Sequence, residues 1–135
     1  MIQRLQTVFL LLAAVINFFV FFTPIYTRAM QDPAVWIGIV FSLLLAGVII
    51  LSIYSVFLYR DREKQLVRVR IATFTQTAVL AASIAILLTL GGIGSFLLKE
   101  ALSVLLILLA LISLWQAWRF IRKDQELVES MDRIR

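Results

Sequence analysis

The amino-acid sequence predicts an all-α integral membrane protein with four transmembrane helices, both termini on the cytoplasmic side and a cytoplasmic helical C-terminal extension. Composition is the first observation behind this prediction, because 62% of the 135 residues are hydrophobic and the mean hydropathy is +1.00. A soluble domain of this size has too little interior to bury so much apolar surface. The second observation is that the apolar residues form four long runs. The third is that the basic residues cluster between alternate runs.

Each apolar run is long enough to be a membrane-spanning helix, which needs about 20 residues to cross a hydrocarbon core of roughly 30 Å. Strands of a membrane barrel would be shorter and would alternate in polarity. The first run is expected to remain as a span, since it is longer than the apolar core of a signal peptide, about 7–15 residues. The chain is therefore predicted to be one domain, residues 1–135, with spans at about residues 5–23, 34–59, 71–90 and 97–118 and a tail at 119–135.

Three connections separate the predicted spans. Pro24 and Pro33 flank a break between the first two spans, and a charged loop occupies residues 60–70. Three glycines between residues 91 and 94 interrupt the chain before the fourth span. Proline and glycine are frequent at the ends of helices, which supports breaks at the first and third connections.

The distribution of basic residues predicts the orientation. Eleven of the 13 Lys and Arg residues lie at the N-terminus, in loop 60–70 or after Trp118, whereas Arg28 and Lys99 lie in the other two connections. Short cytoplasmic segments of membrane proteins are enriched in Lys and Arg. Both termini and loop 60–70 are therefore predicted to be cytoplasmic. Arg68 and Arg70 are interpreted as anchors near anionic headgroups rather than as a binding site.

Side chains that support catalysis or metal binding are scarce. The chain has no Cys and no His, which excludes disulfides, thiol chemistry, haem ligation by His and zinc sites built on Cys or His. Ionisable groups inside membrane spans usually mark functional sites, yet every Asp and Glu lies at the end of a span, in loop 60–70 or in the tail. The sequence therefore predicts no enzyme, no catalytic residues, no metal site and no cofactor. It also predicts no nucleic-acid partner, because no long basic face with interleaved aromatics is present.

Neutral polar residues do occur inside the predicted spans. Asn17 and Ser83 are predicted to lie at similar depth, about 18 Å from the cytoplasmic ends of their spans. Gln76 is predicted to lie shallower, near the level of Ser52, Ser55 and Ser113. These residues form a candidate polar layer. It is interpreted either as a ligand-binding spot or as interhelical hydrogen bonding, which contributes about 0.6 kcal/mol per bond in membranes. An unpaired amide in hydrocarbon is costly, so Asn17 and Gln76 are predicted to face the bundle interior.

Small residues recur at steps of four on two of the spans. Such stripes let helix backbones approach closely, so they are interpreted as packing surfaces, either within the chain or against another subunit. The stripe on the second span is Ala34, Gly38, Ser42 and Ala46, and the stripe on the third is Thr73, Thr77, Ala81, Ala85 and Thr89.

The tail after Trp118 is predicted to continue the fourth helix, because it contains no Gly or Pro. Leu127, Met131 and Ile134 recur at helical spacing among charged residues and are candidate contacts with a partner or with the membrane interface. Five basic and four acidic residues nearly balance, which favours a protein partner or a neighbouring loop, such as 60–70, over headgroups. The alternative is a charged tail that only sets topology.

The two ends of the chain resemble a known family. The opening MIQRLQTVFLLLAAV and the ending IRKDQELVESMDRIR are similar to the ends of small bacterial four-span membrane proteins classed as domain-of-unknown-function family 4293. The resemblance implies four spans and a location in the inner membrane of Gram-negative bacteria. It implies no activity and no site residues.

These observations predict a structural or accessory subunit of a bacterial inner-membrane assembly. Its expected partners are the lipid bilayer and either another membrane protein or further copies of the chain. The alternative is a small carrier or binder of a lipid or apolar small molecule, with a pocket near Asn17 and Gln76. A membrane enzyme is the weakest hypothesis, because Ser83 beside Asn17 has no general base near it.

Overall fold

The computed structural model describes residues 2–31, 34–90 and 98–135. Within these ranges every regular element is a helix, which confirms the all-α fold class. The predicted glycine break at 91–94 and the predicted start of the fourth span at 97 lie outside the described residues. The helices are α1 (Ile2–Val20), α2 (Pro24–Gln31), α3 (Val35–Phe57), α4 (Arg62–Leu90) and α5 (Leu98–Arg133).

The four long helices pack as a ring around one core. Helix α1 packs against α3 and α5, and α4 packs against the same two helices, so α1 and α4 lie diagonally across the bundle. The turn at residues 58–61 makes α3 and α4 antiparallel neighbours, as short connections do in helix bundles. The short helix α2 packs against α3, α4 and α5 and covers the end of the bundle opposite this turn.

The buried residues of α4 and α5 follow a seven-residue repeat. Buried residues recur at alternating steps of four and three, an average of 3.5 that keeps one stripe facing a partner helix. This spacing is typical of bundles whose helices cross at about 20°. The stripe on α4 is Gln65, Val69, Ala72, Gln76, Val79, Ser83 and Ile86, and that on α5 includes Glu100, Ser103, Ile107, Ala110, Leu114, Ala117 and Ile121.

The outward faces of the bundle are apolar as well. Leu43, Ile50 and Leu88 are between 65% and 75% exposed, and many other large hydrophobic side chains also face outward. Helices that are apolar on all sides are typical of membrane spans. Three described helices, α3, α4 and α5, are long and apolar enough to cross a membrane, and α1 with α2 makes a fourth span if the bent pair counts as one.

Helix α2 occupies a stretch that the sequence predicted as a break. The chain bends by 51° between α1 and α2, and Pro24 begins the new helix. Proline lacks an N–H and clashes with the preceding turn, so α1 cannot continue through it, but proline is well suited to a first helical position. The break is therefore a sharp corner at 21–23 followed by two turns of helix.

Helix α4 begins at Arg62, nine residues before the predicted span at 71–90, so most of the predicted loop 60–70 is helical. Asp61 precedes the helix, and its Oδ1 accepts a hydrogen bond from the Lys64 N–H at 3.4 Å. A side-chain acceptor at this position stabilises the start of a helix. The Oδ2 of Asp61 lies 2.7 Å from Lys64 Nζ. Hydrogen bonding to Lys64 lowers the pKa of Asp61, and hydrogen bonding to Asp61 raises the pKa of Lys64.

Helix α5 runs for 36 residues to Arg133, which confirms that the tail continues the fourth helix. At about 1.5 Å per residue the helix is about 54 Å long, far longer than the roughly 30 Å hydrocarbon core of a bilayer. The segment from Arg119 onward therefore extends past the end of the apolar stretch.

Candidate functional site

The three predicted polar residues all lie inside the bundle. Asn17 on α1 and Gln76 and Ser83 on α4 have no exposed side-chain surface. The prediction that both amides face the interior is thus confirmed. Hydrogen bonds to carbonyl groups account for one donor in each side chain.

Only one of these hydrogen bonds connects two helices. Gln76 Nε2 donates to the Ile107 carbonyl oxygen of α5 at 3.1 Å. Asn17 Nδ2 donates to the Ala13 carbonyl of its own helix at 2.9 Å, and Ser83 Oγ donates to the Leu80 carbonyl at 2.7 Å. These bonds support the structural interpretation of the polar residues. The side-chain oxygens of Asn17 and Gln76 are buried and have no hydrogen-bond partner in the described part of the chain.

The polar residues are spread along the bundle axis. Two contacts with α5 give the relative heights of α1 and α4. Phe9 of α1 stacks on Phe120 of α5, with ring centroids 5.7 Å apart. Gln76 of α4 donates to Ile107, which precedes Phe120 by thirteen residues on α5. At about 1.5 Å per residue, Asn17 lies about 12 Å beyond Phe9 and Gln76 about 20 Å beyond Phe120. Ser83 lies about 10 Å further along α4. These contacts separate Asn17 from Ser83 by about 18 Å along the axis rather than placing them at one depth.

Two further buried amide side chains were not among the predicted polar residues. Gln65 on α4 is 1% exposed and Gln6 on α1 is 2% exposed. Gln65 Nε2 donates to the Ser55 carbonyl at 3.0 Å and closes the α3–α4 turn. Gln65, not Gln76, therefore lies at the level of Ser55. The helical spacing contained the signal, since Gln65 and Gln6 each lie eleven residues before a predicted amide, at steps of four, three and four.

Ion pairs close both ends of the bundle. At one end Arg28 of α2 lies 2.8 Å from Glu100 of α5, whose side chain is only 11% exposed. At the other end Arg62 of α4 lies 3.2 Å from Asp124 of α5. Within the described ranges no three acidic side chains converge as metal ligands would. The sequence predicts these residues at helix ends or in the charged segments but does not indicate which of them pair.

The small-residue stripes behave differently on the two helices. On α3, Gly38 is buried and packs so tightly on α2 that an added Cβ would lie 2.9 Å from the Ala29 carbonyl oxygen. On α4, Thr77, Ala81 and Ala85 are exposed. These three residues of the α4 stripe therefore provide no packing surface within the described part of the chain, because the inward stripe of α4 lies on a different face.

The candidate contact residues of the tail are uncovered. Leu127, Met131 and Ile134 are 46%, 68% and 86% exposed. Another side of the tail, including Val128 and Glu129, faces the segment 59–63 across a shallow groove. Together with the pair between Arg62 and Asp124, this places the tail beside the predicted neighbour segment 60–70, while its apolar stripe stays free of the described chain.

A second groove lies between α4 and α5, where their apolar stretches meet their charged ends. It has a volume of about 430 Å³. We call it the arginine–aromatic groove, lined by Arg70, Thr73, Phe74, Thr77, Trp115, Trp118 and Arg122.

Comparison with known proteins supports the resemblance seen at the two ends of the sequence. No curated protein and no solved structure matches the chain. The sequence profile of one family matches residues 2–134, a range that includes all five helices. The chain therefore belongs to the family described as Domain of unknown function (DUF4293).

Proposed function

We propose that the protein crosses the bacterial inner membrane four times, with both termini in the cytoplasm. The charge distribution supports this orientation. Antiparallel packing brings the start of α1, the α3–α4 turn and the tail of α5 to one end of the bundle, and eleven of the 13 Lys and Arg residues belong to those segments. Such an excess is typical of cytoplasmic ends. Helices α3 to α5, with α1 and α2 as the fourth span, have sufficient length.

Within this membrane the protein acts as a structural or accessory subunit of a larger assembly. The single observation that supports this function is the exposed stripe of Leu127, Met131 and Ile134 on a helix that extends beyond the apolar part of the bundle. A tail that only sets topology needs no apolar stripe. The ion pair between Arg62 and Asp124 holds the base of this helix, so the stripe is presented in a defined direction.

Site-specific photocrosslinking tests this function. A photoreactive amino acid at Met131 is expected to capture one membrane protein, or a second copy of this chain, in a discrete adduct. The matched control is the same amino acid at Glu129, which is also exposed but lies about 200° away around the helix. Two differently tagged copies distinguish self-association from another partner.

A triple substitution completes the test. Leu127→Ser, Met131→Ser and Ile134→Ser together are expected to abolish the adduct and co-purification while leaving the far-ultraviolet circular dichroism of the purified protein unchanged. Survival of every association in the triple variant would mean that the tail is only a topology anchor. Equal adducts from positions 131 and 129 would also contradict the proposal, because they would indicate nonspecific collisions.

A second candidate function is a carrier of a small apolar or lipid-like molecule. It is supported by the buried, unpartnered oxygens of Asn17 and Gln76, which would accept hydrogen bonds from a ligand hydroxyl or amide. Native mass spectrometry of protein extracted under mild conditions is the discriminating experiment. A bound small molecule that disappears in both Asn17→Leu and Gln76→Leu variants would favour the carrier over the subunit.

A further inference from the structure

The arginine–aromatic groove combines two kinds of surface. Arg70 directly precedes the predicted third span and Trp118 ends the predicted fourth, so the groove straddles the boundary between apolar and charged sequence. Phe74 and Trp115 are 66% and 49% exposed and give the groove apolar walls that face outward from the bundle. In a membrane this is the level at which acyl chains meet headgroups, and aromatic side chains are enriched there.

Two guanidinium groups stand at the rim of this groove. The Arg70 guanidinium carbon lies 6.0 Å from the centroid of the Phe74 ring, and that of Arg122 lies 5.4 Å from the Trp118 ring. Stacking on an aromatic face orients a guanidinium while leaving its edge free to donate hydrogen bonds. Both arginines are exposed. Arg122 also pairs with Glu126 at 3.1 Å, an exposed pair of modest strength.

The two threonine hydroxyl groups of the groove donate their protons to the backbone of α4 rather than to a ligand. Thr73 donates its hydroxyl proton to the Val69 carbonyl oxygen at 2.8 Å, and Thr77 donates to the Thr73 carbonyl oxygen at 2.9 Å. The Trp118 indole Nε1 is buried and has no hydrogen-bond partner in the described part of the chain, so it is a further donor at the groove, but the charged donors are the two guanidinium groups. A ligand that fits has a negatively charged head with oxygen acceptors and an apolar body.

We propose that the arginine–aromatic groove binds one anionic phospholipid of the inner leaflet. Its phosphate accepts hydrogen bonds from Arg70 and Arg122, and an acyl chain lies against Phe74 and Trp115. The charge of the rim and the apolar walls together select a lipid over free phosphate, and basic pockets between membrane helices are suited to such headgroups. This inference rests on the proposed membrane placement. It assigns Arg70 a specific site, whereas the sequence analysis interpreted it as a general anchor.

Arg68 provides a matched control. It lies two residues from Arg70 on the same helix and carries the same charge, but its guanidinium carbon lies 5.8 Å from the ring of Tyr54 on α3, and it does not line the groove. General attraction between a basic surface and anionic lipid would depend on both arginines equally. A built site depends on Arg70 and not on Arg68.

Tryptophan quenching by brominated lipids measures this dependence in the full-length protein. Trp115 and Trp118 line the groove, and Trp36→Phe removes the remaining tryptophan. Vesicles of phosphatidylcholine with increasing brominated phosphatidylglycerol give the relative association constant of the anionic lipid. We expect Arg70→Gln and Arg122→Gln each to lower this constant about fivefold, and Arg68→Gln to leave it unchanged. Glu126→Gln is expected to raise it, because it frees Arg122 from its ion pair.

The alternative outcomes are separable. Quenching by brominated phosphatidylcholine without preference for phosphatidylglycerol would overturn the site while supporting membrane insertion. No quenching by either lipid would overturn the membrane placement, and the lipid site with it. Equal losses in Arg68→Gln and Arg70→Gln would reduce the effect to surface charge and reject the groove. Displacement of the lipid by millimolar inorganic phosphate would reject a lipid as the occupant.

Discussion

Two glycines on α3, nine residues apart, have opposite surroundings. At Gly38 an added Cβ would lie 2.6 Å from Met30 Sδ and 2.9 Å from the Ala29 carbonyl oxygen, whereas at Gly47 no neighbouring atom lies within 4 Å. The thioether of Met30 can move aside, but the carbonyl belongs to the backbone of α2. The absence of a side chain at Gly38 is therefore what lets α2 pack directly on α3.

We predict opposite effects for alanine at these two positions. Gly38→Ala is expected to destabilise the protein by about 1–3 kcal/mol, because α2 must shift away from α3. Gly47→Ala is expected to stabilise it by about 0.5–1 kcal/mol, because alanine favours the helix and meets open space. Unfolding by sodium dodecyl sulfate in mixed micelles, followed by circular dichroism, measures both. Equal stability of the two variants would contradict the close approach of α2 to α3.

Helix α2 is the only short helix among those described, and it packs across the end of the bundle against α3, α4 and α5. Its two buried residues, Ile25 and Ala29, face the bundle core. The Tyr26 hydroxyl lies 3.0 Å from Ser42 Oγ, and Ser42 Oγ itself donates to the Gly38 carbonyl, which leaves Tyr26 as the donor. The pair between Arg28 and Glu100 then ties α2 to α5. A segment of eight residues is too short to be stable alone, so these contacts hold the helix.

A charge exchange tests how much the pair between Arg28 and Glu100 contributes. Arg28→Glu or Glu100→Arg alone places like charges together in a partly buried site and is expected to destabilise the protein. The double variant is expected to recover part of the loss. The coupling free energy should fall between about 1 and 3 kcal/mol, since Arg28 is 31% exposed and Glu100 only 11%. Strictly additive losses, measured by the same denaturation assay, would show that the two charges do not interact.

At the scale of the whole molecule, the bundle separates charge along its axis. One end carries eleven basic and six acidic side chains, and the other includes Arg28, Lys99 and Glu100. The two ends are joined by helices whose outward surface is apolar over lengths that suit a bilayer. An unequal number of basic residues at the two ends of the spans is the property that determines the orientation of a membrane protein during insertion.

Cysteine labelling is expected to report the orientation directly, because the chain contains no cysteine of its own. An impermeant maleimide added to intact spheroplasts should label Thr27→Cys, because Thr27 is exposed at the end of the bundle that is proposed to face outward. It should not label Lys64→Cys or Ser130→Cys until the membrane is permeabilised. Labelling of position 64 in intact spheroplasts would reverse the proposed orientation. Labelling of all three positions in intact spheroplasts would reject the four-span arrangement.

Much of the fold could be predicted from the sequence because it depends on local properties. Helix content, the approximate positions of the apolar stretches and the continuation of α5 into the tail follow from hydropathy and from the positions of Gly and Pro. Burial of Asn17 and Gln76 follows from the cost of exposing an amide to hydrocarbon. Even the missed amides, Gln6 and Gln65, lie at the helical spacing that the predicted ones define.

The all-helical, apolar character of the chain and the clustering of its charges therefore follow from the amino-acid order, since they depend only on composition and order. The packing of the helices sets which of them are neighbours, which glycine is crowded and which of two nearby arginines, Arg68 or Arg70, lines a groove. It also brings Arg28 to Glu100, 72 residues away. The physical reason is that helix propensity and hydropathy act within a few residues, whereas packing and ion pairing depend on distances that arise only when the helices meet.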